Sequence, residues 1–238
     1  GMLKEGILTS FGLKRVAMVS MVIDHIGSFL LGAMLVPYMA GGTLTVNGDS
    51  PAALWQIVKG QELCHILGRM AFPIFCFLVV EGFLHTRDRV GYGVRMGIFA
   101  LLSEIPYDLV QFHRVFSFRL QNVMFTFTVA IFTLLAITKA EERWAEKGGV
   151  RMAAIAAITA AGLGLCPFLG VSRKTNTAAG MGAALLVRGE YVFLGVLAAV
   201  LVYLLRGRGR LRVLGLAPLL IVSPWTALAV PVLLLYNG

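Results

Sequence analysis

A chain of 238 residues in which 58% of the side chains are hydrophobic and only 14% charged, with a mean hydropathy of +0.83, is excluded from the soluble globular class. Its net charge of +9 does not point to nucleic acid, because the basic residues sit in short clusters between apolar runs, where membrane topology accounts for them. Cys64, Cys76 and Cys166 are odd in number and form no paired motif, which supports neither a disulfide framework nor a metal site.

Taken in order, the chain predicts an all-α polytopic integral membrane bundle of about seven to eight transmembrane helices, a single membrane-embedded domain over 1–238. The first span covers 13–36. Its basic flank of Lys4, Lys14 and Arg15 imitates a secretion signal, but the apolar run is too long, contains Asp24 and His25, and lacks a small-residue cleavage site. Pro37–Gly60 follows as an external segment in which Gly41-Gly42 and Asn47-Gly48-Asp49-Ser50-Pro51 signal turns or a lid. Further spans fall near 63–84, 92–110, 121–138, 152–170, 191–205 and 213–236. Runs such as Val16–Val36, Ile66–Leu84 and Val213–Tyr236 exceed the roughly 18 residues that cross the hydrocarbon as helix. They do not alternate apolar and polar as barrel strands do. The small-residue stretch 176–187 reads as an eighth short helix or a re-entrant segment. Seven crossings put 13 of the 21 basic residues on one face, so the segment before the first span is expected in the cytoplasm of a cell (inner) membrane protein, and the segment after the last span outside.

Within these spans lie Asp24, His25, His65, Arg69, Glu81, Arg95, Glu104 and Asp108. A charged side chain at mid-membrane costs roughly 2.5–3.5 kcal/mol on insertion scales, so these groups are expected to face the bundle interior and pair. Ser20, Asp24 and Ser28 recur every four residues beside Gly27, a small polar stripe suited to close helix contact. His25 is turned about 100° from Asp24. Asp24 is therefore expected to grip a partner helix, with Arg69 as counter-ion, while His25 looks into a cavity. In the second span Pro73 removes the helical donor to the Arg69 carbonyl, which places a guanidinium beside a free acceptor, fit for an anionic or polar ligand. Glu81 and Arg95 are expected to pair near the cytoplasmic end, and His65 to lie solvated at the membrane rim. Glu104 and Asp108 share a face around Pro106, as an acceptor-binding edge or as helix-end ion pairs. The same groups fit a proton-coupled transporter or exporter of a small molecule, or an assembly factor locked by its charges; the two halves of the chain show no repeat symmetry, which speaks against the transporter.

Six blocks, in order, carry a resemblance. They are Leu13–Gly27 with its Asp24-His25 pair, Leu67-Gly68-Arg69-Met70-Ala71-Phe72-Pro73-Ile74-Phe75, Glu81-Gly82-Phe83-Leu84-His85-Thr86-Arg87, Ser103-Glu104-Ile105-Pro106-Tyr107-Asp108, Gln121-Asn122-Val123-Met124-Phe125-Thr126 and Leu235-Tyr236-Asn237-Gly238. Over nearly the whole chain they resemble the TraX family, which is named for a conjugative-plasmid protein needed to acetylate the N-terminus of pilin and is distantly similar to the transmembrane acyltransferase superfamily. The resemblance implies an integral membrane acetyltransferase that moves an acetyl group from acetyl-CoA, as co-substrate, to an amine or hydroxyl acceptor at or beyond the outer half of the membrane. By position it implies catalytic roles for Asp24, His25, Arg69 and Asn122. Ile26-Gly27 and Glu81-Gly82-Phe83 depart from the plasmid pilin modifier, so the acceptor stays open as a protein N-terminus, a glycan or a small molecule.

On this reading His25 is the general base, and Asn122 and Arg69 donate to the oxyanion. Asp24 orders Arg69 or steadies the charged histidine. Lys14, Arg15, Arg87 and Arg95 form a basic mouth for the CoA nucleotide, and His65, Glu104 and Asp108 line the acceptor side. The partners implied are acetyl-CoA, the unidentified acceptor and the lipid bilayer, with no nucleic acid.

Overall fold

The computed structural model describes residues 7–40, 43–44, 51–112, 123–170 and 190–237. Asn122, His113, Arg114, Arg119 and the stretch 176–187 lie outside them. The first helix starts where the Thr9 hydroxyl accepts the Gly12 amide, at 3.2 Å, satisfying an amide that the first turn leaves without a helical partner. Helix α1 (Ser10–His25) passes without a break into a π-helical turn (Ile26–Leu31), α2 (Gly32–Leu35) and a 3-10 turn (Val36–Tyr38). Phe11, Met18, Val19, Val22, Phe29 and Leu30 stand exposed along it. Such a row of large uncovered hydrophobes is stable only where the surrounding solvent is hydrocarbon.

A two-residue antiparallel pair follows, β1 (Met39–Ala40) with β2 (Thr43–Leu44), Met39 opposite Leu44. Helix α3 (Ala52–Gly68) begins directly after Pro51, whose carbonyl accepts the Leu54 amide at 2.9 Å. This corrects the external segment expected over Pro37–Gly60. Proline at a helix start leaves no orphan amide, and Ala52-Ala53-Leu54 is good helix-forming sequence, so the second span begins eleven residues earlier than the apolar run suggests. The break at Arg69-Met70, between α3 and α4 (Ala71–His85), falls where Pro73 removes the amide that would have bonded to Arg69.

The described chain is helical apart from the two short strands, and four of its segments are long and apolar enough to cross a membrane: Ser10–Tyr38, Ala52–His85, Val123–Arg143 and Gly148–Cys166. It forms two compact units. One comprises Gly1–Leu78 with Ser223–Gly238, the other Val79–Val222. In the second, α5 (Arg89–Phe112) packs on α6 (Val123–Arg143), α6 on α7 (Gly148–Gly170), and both α6 and α7 on α8 (Glu190–Leu204). Small residues set these contacts: Gly93 lies against Ile131 and Phe132, and Gly162 against Thr133. A 3-10 segment (Arg206–Leu216) and α9 (Leu219–Val222) complete the unit.

Three ion pairs among the described residues lie within it. Arg206 donates to both oxygens of Glu141, at 3.0 and 2.8 Å, with Tyr203 donating to the same carboxylate at 2.8 Å. Arg212 donates to Glu81 at 2.6 Å, the glutamate side chain being 5% exposed. Arg95 instead pairs with Asp88 at 3.7 Å. The expected Glu81–Arg95 pair is thereby corrected. Asp88 accepts the Gly91 amide at the start of α5, and Arg95 lies two turns along that helix from it, whereas Glu81 meets the 3-10 segment.

In the first unit the two ends of the described chain are clasped together. The Leu8 amide donates to the Leu235 carbonyl at 2.9 Å and the Asn237 amide to the Leu8 carbonyl at 3.1 Å, in a parallel bridge of Leu8 with Tyr236. The hydroxyls of Tyr236 and Ser10 are 2.9 Å apart, and the Tyr236 ring meets Phe77 edge-on at 5.7 Å. Of the seven to eight crossings expected, an odd number would put Leu8 and Tyr236 on opposite faces and an even number on the same face, and the clasp fits an even number. The run 213–236 is no single helix. It is divided among the 3-10 segment, α9, a 3-10 turn (Pro224–Leu228) and α10 (Ala229–Leu234), interrupted by extended Ser223 before Pro224. Each piece falls short of the roughly 20 residues a crossing helix needs. Single cysteines at positions 8 and 237 are expected to react with an impermeant maleimide from the same side of oriented membranes; labelling from opposite sides would refute the clasp.

Candidate functional site

The first unit brings three of the intramembrane polar residues into one region, and the approach of α1 to α3 explains how. Ser20 donates to the Leu67 carbonyl at 2.6 Å. Gly27 lies against Cys64, and a side chain at Gly68 would occupy the space of Asp24. Two glycines facing each other's helices let the backbones come close enough for the short Asp24 side chain to reach across. There it meets His65, whose Nδ1 is 3.0 Å from the Asp24 Oδ1, with side-chain exposures of 36% for the imidazole and 33% for the carboxylate. Asp24 is the fifteenth residue of the 29-residue segment Ser10–Tyr38, about 21 Å along it at 1.5 Å per residue. The pair therefore lies halfway through the first span.

Arg69 is the expected counter-ion of Asp24; the structure sets His65 against the Asp24 carboxylate, with Arg69 one turn further along at the helix break. His65 consequently is not a solvated rim residue. The earlier start of α3 moves it deeper, to the fourteenth residue of that helix. The small polar stripe of α1 is seen for Ser20, Asp24 and Gly27, but Ser28 is exposed. The π-helical turn takes up an extra residue, so the next positions facing α3 are Gly32, against Gln61, and buried Leu35.

His25 looks elsewhere. Its Nδ1 is 2.7 Å from the Met21 carbonyl one turn back, and its ring lies 5.6 Å from that of Phe29. Met21, Val22, Ile26, Phe29 and Leu30 line a groove of about 440 Å³ beside it. The sequence expectation is a cavity at His25; the structure has instead an open apolar groove on the outer face of α1, and His25 and the Asp24–His65 pair occupy different faces of the helix.

Lys14 and Arg15 are exposed in the first turns of α1, Arg15 over the Phe11 ring at 5.8 Å. Arg87 is exposed between α4 and α5, and Arg95 is engaged by Asp88. Glu104 and Asp108 fall one turn apart on α5. The pairings of Glu141 with Arg206 and Tyr203 escaped the sequence reading, although a carboxylate near the end of an apolar helix and an arginine closing another are a usable signal for such a contact.

Over 134 residues, 53% of this chain and 46% of the relative, the sequence is 28% identical to a protein named probable fimbrial assembly protein FimC, serogroup H1, of Dichelobacter nodosus. The match thus spans less than half the length of that relative. No solved structure matches the chain. The family model described as TraX protein matches residues 11–238, from the second residue of α1 through the Tyr236 clasp, and the chain belongs to the TraX family.

Proposed function

We propose that this chain is a membrane acetyltransferase that moves an acetyl group from acetyl-CoA to an amine or hydroxyl acceptor at or beyond the outer half of a cell (inner) membrane, with the segment before α1 in the cytoplasm. Membership of a family associated with pilin acetylation, and likeness to a protein named for fimbrial assembly, support a pilin-type acceptor class with an amine at its N-terminus. The observation that carries the reading is the carboxylate–imidazole contact of Asp24 and His65, halfway through a span and partly open to a reactant. A passive anchor gains little from such a pair, because its desolvation offsets its attraction.

Acyl transfer from a thioester needs a group to take the acceptor's proton and donors for the oxyanion. Asp24, His25 and His65 supply the acid–base side, and Arg69 with Asn122 the donors. Lys14, Arg15, Arg87 and Arg95 attract the CoA phosphates, and Glu104 and Asp108 with His65 receive the acceptor. Reconstituted protein given acetyl-CoA and a peptide with a free N-terminal amine is expected to release CoA thiol, and Asn122→Ala to slow release by roughly 100-fold, the usual effect of losing one oxyanion donor. No thiol release from protein that moves solute or protons across liposomes would favour a transporter instead.

A further inference from the structure

The geometry points to His65, held by Asp24, as the group that accepts the proton in the transfer, in place of His25. This rests on the acetyltransferase reading and sharpens it. Both imidazoles have their Nδ1 occupied, so both offer Nε2 to a reactant when neutral, with Nδ1–H donating. They differ in what receives the positive charge once a proton is taken. At His65 the Asp24 carboxylate is 3.0 Å from the ring, across two helices that Gly27 and Gly68 hold close. At His25 the neighbour is a neutral carbonyl of its own helix, and the open side is lined by Met21, Val22, Ile26, Phe29 and Leu30. In a medium of low dielectric constant a bare imidazolium is costly, while one beside a fixed carboxylate is not, which is why a carboxylate behind a histidine serves proton-transfer sites.

The step balances as follows. The acceptor nitrogen or oxygen attacks the acetyl carbonyl carbon, its proton passes to His65 Nε2, the carbon–sulfur bond breaks, and the departing CoA sulfur takes that proton from Nε2 to leave as thiol. Asp24 stays ionised throughout. It is a positioning residue that fixes the ring and its tautomer, and His65 is the catalytic one.

The test uses the full chain in liposomes, with acetyl-CoA and glycinamide as the amine probe. His65→Ala is expected to lose about 100-fold or more in CoA release, within the usual contribution of a positioned base, and to regain activity when imidazole is added. Asp24→Asn is expected to fall by a comparable factor without imidazole rescue. In the same protein, ¹⁵N-labelled His65 is expected to show the Nδ1-protonated tautomer, which Asp24→Asn abolishes; this signal reads the pair even where a variant folds poorly. Rescue of His25→Ala by imidazole with none for His65→Ala would overturn the assignment, as would undiminished release by His65→Ala or a tautomer unaltered in Asp24→Asn. A wild type that releases no CoA would overturn the acetyltransferase reading itself.

Discussion

Replacing Arg212 by alanine is expected to destabilise the protein by about 3–5 kcal/mol, the cost of leaving one member of a buried ion pair without its partner. Glu81 is almost fully enclosed, and the Arg212 guanidinium is 2.6 Å from its carboxylate with a side-chain exposure of only 17%. Truncation at position 212 removes that guanidinium from a carboxylate that is only 5% exposed, on a stretch of α4 where Val80 and Phe83 are themselves buried. The double variant Glu81→Gln/Arg212→Met removes both charges at similar volume and is expected to recover most of the loss. Unfolding in mixed detergent micelles reads both. An Arg212→Ala variant within about 1 kcal/mol of the wild type, the range of an exposed pair, would contradict a buried role.

Gly68→Leu is the second large effect. The Cβ it adds would collide with the Asp24 side chain, and the leucine body would then drive α1 away from α3. Overpacking of this kind costs typically about 1–3 kcal/mol. The functional loss is expected to exceed the loss of stability: with the helices parted, Asp24 no longer reaches His65, and thiol release falls by about 100-fold even at temperatures where the variant stays folded. Gly164→Ala, on α7 with nothing within 4 Å of the new Cβ, is the control and is expected to leave thiol release and unfolding nearly unchanged. Equal loss from both substitutions would show a general sensitivity to glycine replacement and remove the special standing of Gly68.

Much of this was legible in the residue order. The contact face of α1 through Ser20, Asp24 and Gly27 follows from helical periodicity, and the break after Gly68 follows from Pro73, since a missing amide acts locally and needs no tertiary knowledge. The partner of Asp24 was not legible, because it depends on how deep α3 starts, and that start is set by Pro51, which lies in a stretch rich in turn residues. Ser28 was misplaced for a different reason. A period of 3.6 carries it to the contact face, and only the π-helical turn, invisible to hydropathy, rotates it away. The last apolar run misled because transfer energy depends on side chains and is blind to how the backbone is hydrogen-bonded. Pro218, Pro224 and Pro231 within 213–236 were the available signal that a single continuous helix was improbable there.

The clasp of Leu8 with Tyr236 has a consequence for biosynthesis. The unit that holds Asp24 and His65 is discontinuous in the chain, taking in both Gly1–Leu78 and Ser223–Gly238, with all of Val79–Val222 translated in between. Domains usually complete themselves in the order of synthesis. Here the helices that carry Asp24 and His65 are made before Val79–Val222, and the edge that receives Tyr236 stays uncovered until Ser223–Gly238 has followed.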